Sequence, residues 1–179
     1  IPTKFKNKPD IYPENSKIFV VSDIHGQYDI FKKLLLNNSV IDSNNAWIWG
    51  SGHLVILGDL FDKGSKVHES AWLLFNIEKQ ASQAGGVVHY MLGNHEVKAL
   101  RGDLKYVTKN YFKLAEILSL NIPDLYLEDT FWGRWLRSKN VITKIGDILV
   151  VHCGIHPDIL LKDYSISEIN NIMKANIDL

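Results

Sequence analysis

Four times along this chain, a short apolar run rich in β-branched residues stops abruptly in a cluster of polar, reactive ones. The runs are IFVVS, HLVIL, VVHYML and DILVV, and the clusters are Asp23-Ile24-His25-Gly26, Gly58-Asp59-Leu60-Phe61-Asp62, Gly93-Asn94-His95-Glu96 and Val151-His152-Cys153-Gly154. Runs of this length bounded by Gly, Asp and Asn read as buried strands. Helical patterns stand between them at Asp29 to Asn38, Val67 to Ala84, 108 to 120 and Ser165 to Ile177. Gly85-Gly86 marks the end of the second, and Ser165-Ile166-Ser167-Glu168 forms a capping box for the last. Strands alternating with helices give an α/β class. In open α/β sheets ligands gather beyond the carboxyl ends of strands, which is where all four clusters fall.

The remaining segments are read as follows. Residues 1–16, with three prolines, form an extended arm. Residues 46–57 form a hairpin with WIW and LVIL as arms. Residues 124–139 are aromatic and less regular, a helix or a cap over the site, and Val141 to Lys144 pairs with Ile148 to Val151 around Gly146-Asp147. The 179 residues suffice for one domain spanning 1–179. Formal net charge is zero, so the chain carries no nucleic-acid footprint. No apolar stretch is long enough to span a bilayer, so the expectation is a soluble protein. The single Cys153 excludes an internal disulfide but leaves cytoplasmic and periplasmic or secreted locations open. Oligomeric state is open too. A start at Ile1 and an end inside a helical pattern suggest a trimmed chain.

The clusters offer oxygen and nitrogen donors without an obligatory thiolate. Asp23 and His25 stand at i and i+2 on a strand exit, so both can reach one cation. Gly26 lets the chain turn away. Asp59 has two carboxylate oxygens and is the natural bridge between two metals, which an imidazole nitrogen cannot be. Asn94 is a neutral oxygen donor and His152 an imidazole donor for the second cation. His95 reads either as a general acid oriented by Asp62 or as another ligand. Glu96 reads as an acceptor that organises the donors around it. Cys153 is expected to be a small buried group, His89 a core histidine, His68 a solvent-facing one, and Phe131, Trp132 and Trp135 core or lid aromatics.

These motifs, in this order, resemble the calcineurin-like metallophosphoesterase superfamily: D-x-H-G at Asp23 to Gly26, G-D-x-x-D-x-G at Gly58 to Gly64, G-N-H-E at Gly93 to Glu96, then His152. The stretches GNHEVKALRGDLKYV, VHCGIHP and IDSNNAWIWGSGHLVILGD resemble the Shewanella-like branch of the phosphoprotein phosphatases. The resemblance implies two mixed β-sheets packed face to face with flanking helices, and two divalent metals, Mn, Fe or Zn. It implies Asp23 and His25 on the first metal, Asp59 bridging, and Asn94 and His152 on the second. It also implies attack on phosphorus by a metal-held hydroxide, with His95 as acid paired to Asp62. Asn94 and Lys63 would touch the substrate, a phosphoprotein or a small phosphoester.

Two departures stand out. Lys63 replaces the usual phosphate-gripping Arg, so the grip on phosphate is expected to be weaker or shared with Arg101. No late Gly-His motif follows Pro157, as though the C-terminal part of the family domain were absent. The competing readings are a small-metabolite or dinucleoside-polyphosphate hydrolase, and a non-catalytic phosphate-binding or interaction protein.

Overall fold

The computed structural model describes residues 4–179. Six strands form: β1 (Ile11–Tyr12), β2 (Ile18–Val21), β3 (His53–Ile56), β4 (Val87–Tyr90), β5 (Ile142–Ile145) and β6 (Ile148–Val151). They build two sheets of three. In one, β2, β3 and β4 lie side by side and wholly parallel, with Val20 opposite Val55 and Val55 opposite His89. In the other, β1 runs parallel to β5, and β5 runs antiparallel to β6. Only this second sheet is mixed.

The alternation of side chains across β3 explains the layering. Leu54 and Ile56 face a large core shared with helices, whereas Val55 faces the other sheet and meets Met91, Ile145 and Val150. All four residues of β3 are buried, because the strand has a neighbour on each side and a layer on each face. Helices α1 (Tyr28–Asn37) and α2 (Val67–Gln83) cover the parallel sheet through Phe31, Leu35, Leu74 and Ile77. The chain continues through α3 (Asn94–Leu100), α4 (Lys109–Ile117), a 3₁₀ turn at Ile122–Tyr126, α5 (Phe131–Arg137), α6 (Pro157–Leu161) and α7 (Ile166–Ala175). On the far side α7 packs on β5, where Asn170 accepts from the backbone N–H groups of Val141 and Ile142 and donates to the Ile142 carbonyl. The expected capping box starts α7: Ser165 Oγ accepts from Glu168 N, and Glu168 accepts from Ser165 N. The result is helix, sheet, sheet, helix.

The segment 46–57 departs from the expected hairpin. Trp47 forms an antiparallel bridge with Ile41, and the LVIL run becomes the central parallel strand. A fully buried strand needs two strand partners, which the Trp47 segment cannot supply. The expected arm is partly a strand, β1, and its residues 1–3 lie outside the described ones. Residues 124–139 are regular: α5 buries Trp132 and Trp135 in the core. Close by, Lys139 and Glu78 form a buried ion pair at 2.7 Å, joined by Lys8 at 3.2 Å and by a hydrogen bond from Trp135 Nε1. Burial pushes the Glu78 carboxyl up, but Lys139 and Lys8 outweigh it and hold it below the usual range.

Candidate metal centre

Because β2, β3 and β4 are parallel, their carboxyl ends open at one end of the sheet, and the loops there are stitched together. Asp23 N donates to the Gly58 carbonyl, His25 N to Asp59 and Gly26 N to Leu60. The backbone is bent hard to do this. Among the described residues, nine that are not glycine have positive φ, and five of them are Asp23, His25, Asp59, Asp62 and Lys63. Each such residue costs on the order of 1–3 kcal/mol, and such strain gathers at functional sites. Gly58 (φ +99°) is required outright: a Cβ there would stand 2.5 Å from Gly93 N. The strand tips could not approach each other otherwise.

Glu96 holds this loop cluster together from beneath. The fully buried carboxylate accepts from the N–H groups of Asp59, Leu60, Phe61 and Gly93, and from the Tyr90 hydroxyl. Burial raises its pKa, and the backbone donors oppose the rise.

Above it, Asp59 is buried and presents its two oxygens to different partners. Oδ2 lies 3.7 Å from His25 Nε2, and Oδ1 lies 3.4 Å from His152 Nε2. Asp23 Oδ1 is 3.6 Å from His25 Nε2, and Asn94 Oδ1 is 3.2 Å from His152 Nε2. The sequence-derived donors Asp23, His25, Asp59, Asn94 and His152 therefore come together in two groups that meet at Asp59. Hydrogen bonds at 2.8 and 2.6 Å tie His25 Nδ1 to the Phe61 carbonyl and His152 Nδ1 to the Leu57 carbonyl. A ring that donates from Nδ1 leaves Nε2 with its lone pair free, the arrangement expected of metal-binding histidines. Separations of this size, between oxygen and nitrogen atoms facing inward, fit a pair of divalent cations held by mixed ligands. The hydroxyl of Ser22 donates to Asp23 and lowers its pKa, with His152, His25 and Lys63 acting in the same direction.

His95 is buried at the start of α3. Its Nδ1 is 2.7 Å from Asp62 Oδ2 and its Nε2 is 3.8 Å from Asp59 Oδ2. His25, Asp59 and His95 alone already bring three ligand-type atoms within 4.8 Å of one another. Burial raises the pKa of Asp62, while the contact with His95 lowers it. Lys63 is exposed, and its ammonium reaches His25 Nε2 at 2.8 Å.

A sequence pattern for calcineurin-like phosphoesterases matches residues 16–177. The chain belongs to that family. Across 97% of its length the chain superposes on a cold-active protein-tyrosine phosphatase of a psychrophilic Shewanella species, with a TM-score of 0.92 and 40% identity, covering 52% of that chain. It is 29% identical over 98% of its length to Shewanella-like protein phosphatase 1 of Plasmodium berghei, covering 49% of that protein. It is also 31% identical over 78% of its length to the symmetrical bis(5'-nucleosyl)-tetraphosphatase of Wigglesworthia glossinidia brevipalpis, covering 45% of that protein. The chain thus spans about half the length of these relatives. Among its described residues, no helix is long and apolar enough to cross a membrane.

Some residues lie elsewhere than expected. Arg101 turns away from the centre and donates to the Ile177 and Asn176 carbonyls, so it cannot share a phosphate grip. Cys153 is exposed rather than buried. His68 is not solvent-facing but packs among Tyr111, Tyr126 and Trp132, and burial lowers its pKa. The sequence reading passed over Tyr106, whose ring sits 5.0 Å from that of His95. The flanking lysines in GNHEVKALRGDLKYV were its one available signal.

Proposed function

We propose that this phosphoesterase hydrolyses phosphate monoesters on proteins, with Asp23, His25 and Asp59 holding one divalent cation and Asp59, Asn94 and His152 a second. The division of the Asp59 oxygens between His25 and His152 carries this reading. When bound, such a pair supplies Lewis acidity to the phosphoryl group and acidifies water near neutral pH. The protein's own residues do the rest. Asp59 fixes the spacing of the two ligand groups. Asn94, exposed at the start of α3, would meet a phosphoryl oxygen, and the Lys63 ammonium would do so on leaving His25 Nε2, where a cation would take its place. Lys63 gives a point charge where Arg would give a two-pronged grip, so it neutralises charge more than it orients. Asp62 holds His95 through Nδ1, which directs Nε2 toward the reacting group, where it protonates the departing oxygen.

Two observations favour a protein substrate over a small metabolite. The Asp23 side chain is 57% exposed, and Asn94 and Lys63 are exposed as well, so the centre opens onto a surface. The Shewanella and Plasmodium relatives are both named protein phosphatases.

Replacing His95 with Ala tests the assignment. Turnover of an aryl phosphate should fall ~10²-fold or more, the usual contribution of a general acid, while bound metal measured by elemental analysis stays constant. Loss of metal in step with activity would make His95 a ligand instead.

A further inference from the structure

The arm carries the run Lys4-Phe5-Lys6-Asn7-Lys8, with a lysine at every second position, the spacing at which an extended chain sets side chains on one side. Phe5 anchors this run: its ring meets those of Phe75 and Phe131 edge-on, with centroids 6.2 and 5.5 Å away. Asn140 Nδ2 holds the next turn of chain by donating to the Pro9 carbonyl at 3.2 Å. Between the arm and the second half of α2 lies a cavity of about 550 Å³. The buried Lys139–Glu78 pair lies at its base, and Lys4, Lys6, Lys8 and Lys79 stand around it. Five lysines thus face one carboxylate, an excess of four positive charges in a chain whose net charge is zero. Glu78 is already engaged by Lys139 at 2.7 Å and by Lys8 at 3.2 Å. Among the described residues, Lys4, Lys6 and Lys79 have no carboxylate within ion-pair distance. A second cavity, of about 360 Å³, shares Lys4, Phe5 and Ser138 with the first and sets Arg134 and Arg137 against Glu128. Arg137 is held by Asp178, and Arg134 Nη1 donates to the Asp129 carbonyl. Arg134 Nε is, among the described residues, a buried donor without an acceptor. All this lies apart from the metal centre. Helix α2 begins beside that centre, where Lys66 N donates to the Gly26 carbonyl, and Glu78 stands three turns further along, roughly 16 Å away.

The geometry points to a second ligand site between the arm and α2, one that binds an oligophosphate: several linked phosphates, free or as the tail of a nucleotide. The hydrolytic chemistry proposed above uses none of these groups. Ammonium groups bind phosphate oxygens as point charges, and several converging on one cavity suit a ligand with several negative charges. The cavity has the volume of a small-molecule site. Arg134 Nε offers an N–H that a phosphate oxygen can satisfy. Concave walls suit a compact anion better than an acidic peptide, whose carboxylates are spread along an extended backbone. Phe5 and Phe75 line the same cavity, so a nucleotide base would have aromatic edges to meet.

The test titrates inorganic tripolyphosphate into the metal-loaded protein by calorimetry. Binding should be seen and should weaken as salt screens the lysines. The double variant Lys6→Glu, Lys79→Glu changes two exposed residues and should lower the affinity at least ~10-fold, with turnover of an aryl phosphate unchanged. Asp59→Asn, at the metal centre, should keep the affinity within about twofold. Affinity kept by the lysine variant but lost with Asp59 would put the anion on the metals and overturn the site. An equal loss in Lys33→Glu, Lys113→Glu, exposed lysines elsewhere, would reduce the effect to net charge and overturn it too. Absence of tripolyphosphate binding would overturn it outright. ATP and adenosine separate the two sources of the phosphate chain. Equal affinity for ATP and tripolyphosphate supports a site for the chain alone, and tighter ATP with adenosine silent supports a nucleotide. Hexaglutamate binding more tightly than either would refute the small anion in favour of an acidic peptide.

Discussion

One carboxylate, Glu96, gathers four backbone N–H groups and a tyrosine hydroxyl from the loops that carry Asp59 and Gly93. A glutamine there would turn an N–H₂ toward at least one group of these donors and leave them without an acceptor. Each buried donor so stranded costs roughly 1–3 kcal/mol. Glu96→Gln should therefore lower unfolding free energy by at least ~2 kcal/mol in urea titrations, while Glu116→Gln, on exposed α4, should move it little. At this scale the sequence was readable where residue type alone decides. The two oxygens of Asp59 singled it out by type, whereas the i, i+2 argument for Asp23 and His25 assumed extended backbone, and both residues instead have positive φ and meet through the bent loop. The carbonyls of Phe61 and Leu57 that orient His25 and His152 were not readable, because any residue type supplies a carbonyl. Arg101 was offered as a sharer of the phosphate grip on its charge alone, and the carbonyls of Asn176 and Ile177 that claim its guanidinium come from a distant part of the chain.

Among the elements, α4 is weakly anchored. None of its residues is buried, and Phe112, Leu114 and Ile117 are 43%, 48% and 78% exposed. It is tied down by its Thr108 cap and by Tyr111, whose hydroxyl accepts from Val67 N and His68 N. By contrast α2 buries eight of its residues. Amides of α4 should therefore exchange with deuterium through local opening, well ahead of those in α2, in native-state exchange measurements. Equal protection in both helices would contradict this. The periodicity of α2 was plain in the sequence because its apolar stripe is a core stripe. Helix α3 was missed because two of its four buried residues, His95 and Glu96, are polar, which leaves only Ala99 and Leu100 as an apolar signal. The segment 46–57 looked like a hairpin because local turn chemistry favoured it. Burial of β3 on both faces, a property of the whole sheet, overruled that signal.

At the scale of the molecule, the sheets close over a pair of histidines. His89 Nε2 lies 3.1 Å from His53 Nδ1, both rings are buried, and Tyr12 packs edge-on against them. Burial, with His53 and Lys8 nearby, lowers His89 from 6.5 to about 3, and burial lowers His53 as well. Above about pH 6.5 the ring is neutral whether folded or not, so His89 has no effect on stability there. Below it, the unfolded chain takes up a proton that the folded one refuses, so stability falls as pH drops toward 3. From His89 alone the loss between pH 7 and pH 5 is about 2 kcal/mol, measurable as a shift in the urea midpoint. His89→Phe should flatten that slope. The overall architecture was legible because alternating strands and helices with polar tips leave few arrangements. What escaped was β1, since two residues in a proline-rich stretch carry no periodic pattern, and their identity as a strand comes wholly from β5.

That pairing of Ile11 with Lys144 has a consequence for how the protein is made. Strand β1 must wait, unpaired, until Ile142–Ile145 have been synthesised. The parallel sheet can assemble meanwhile from β2, β3 and β4, but the outer layer cannot close. A chain halted before residue 144 should therefore keep Ile11 and Tyr12 open to proteases and chaperones, and protection there should come late, as a single step.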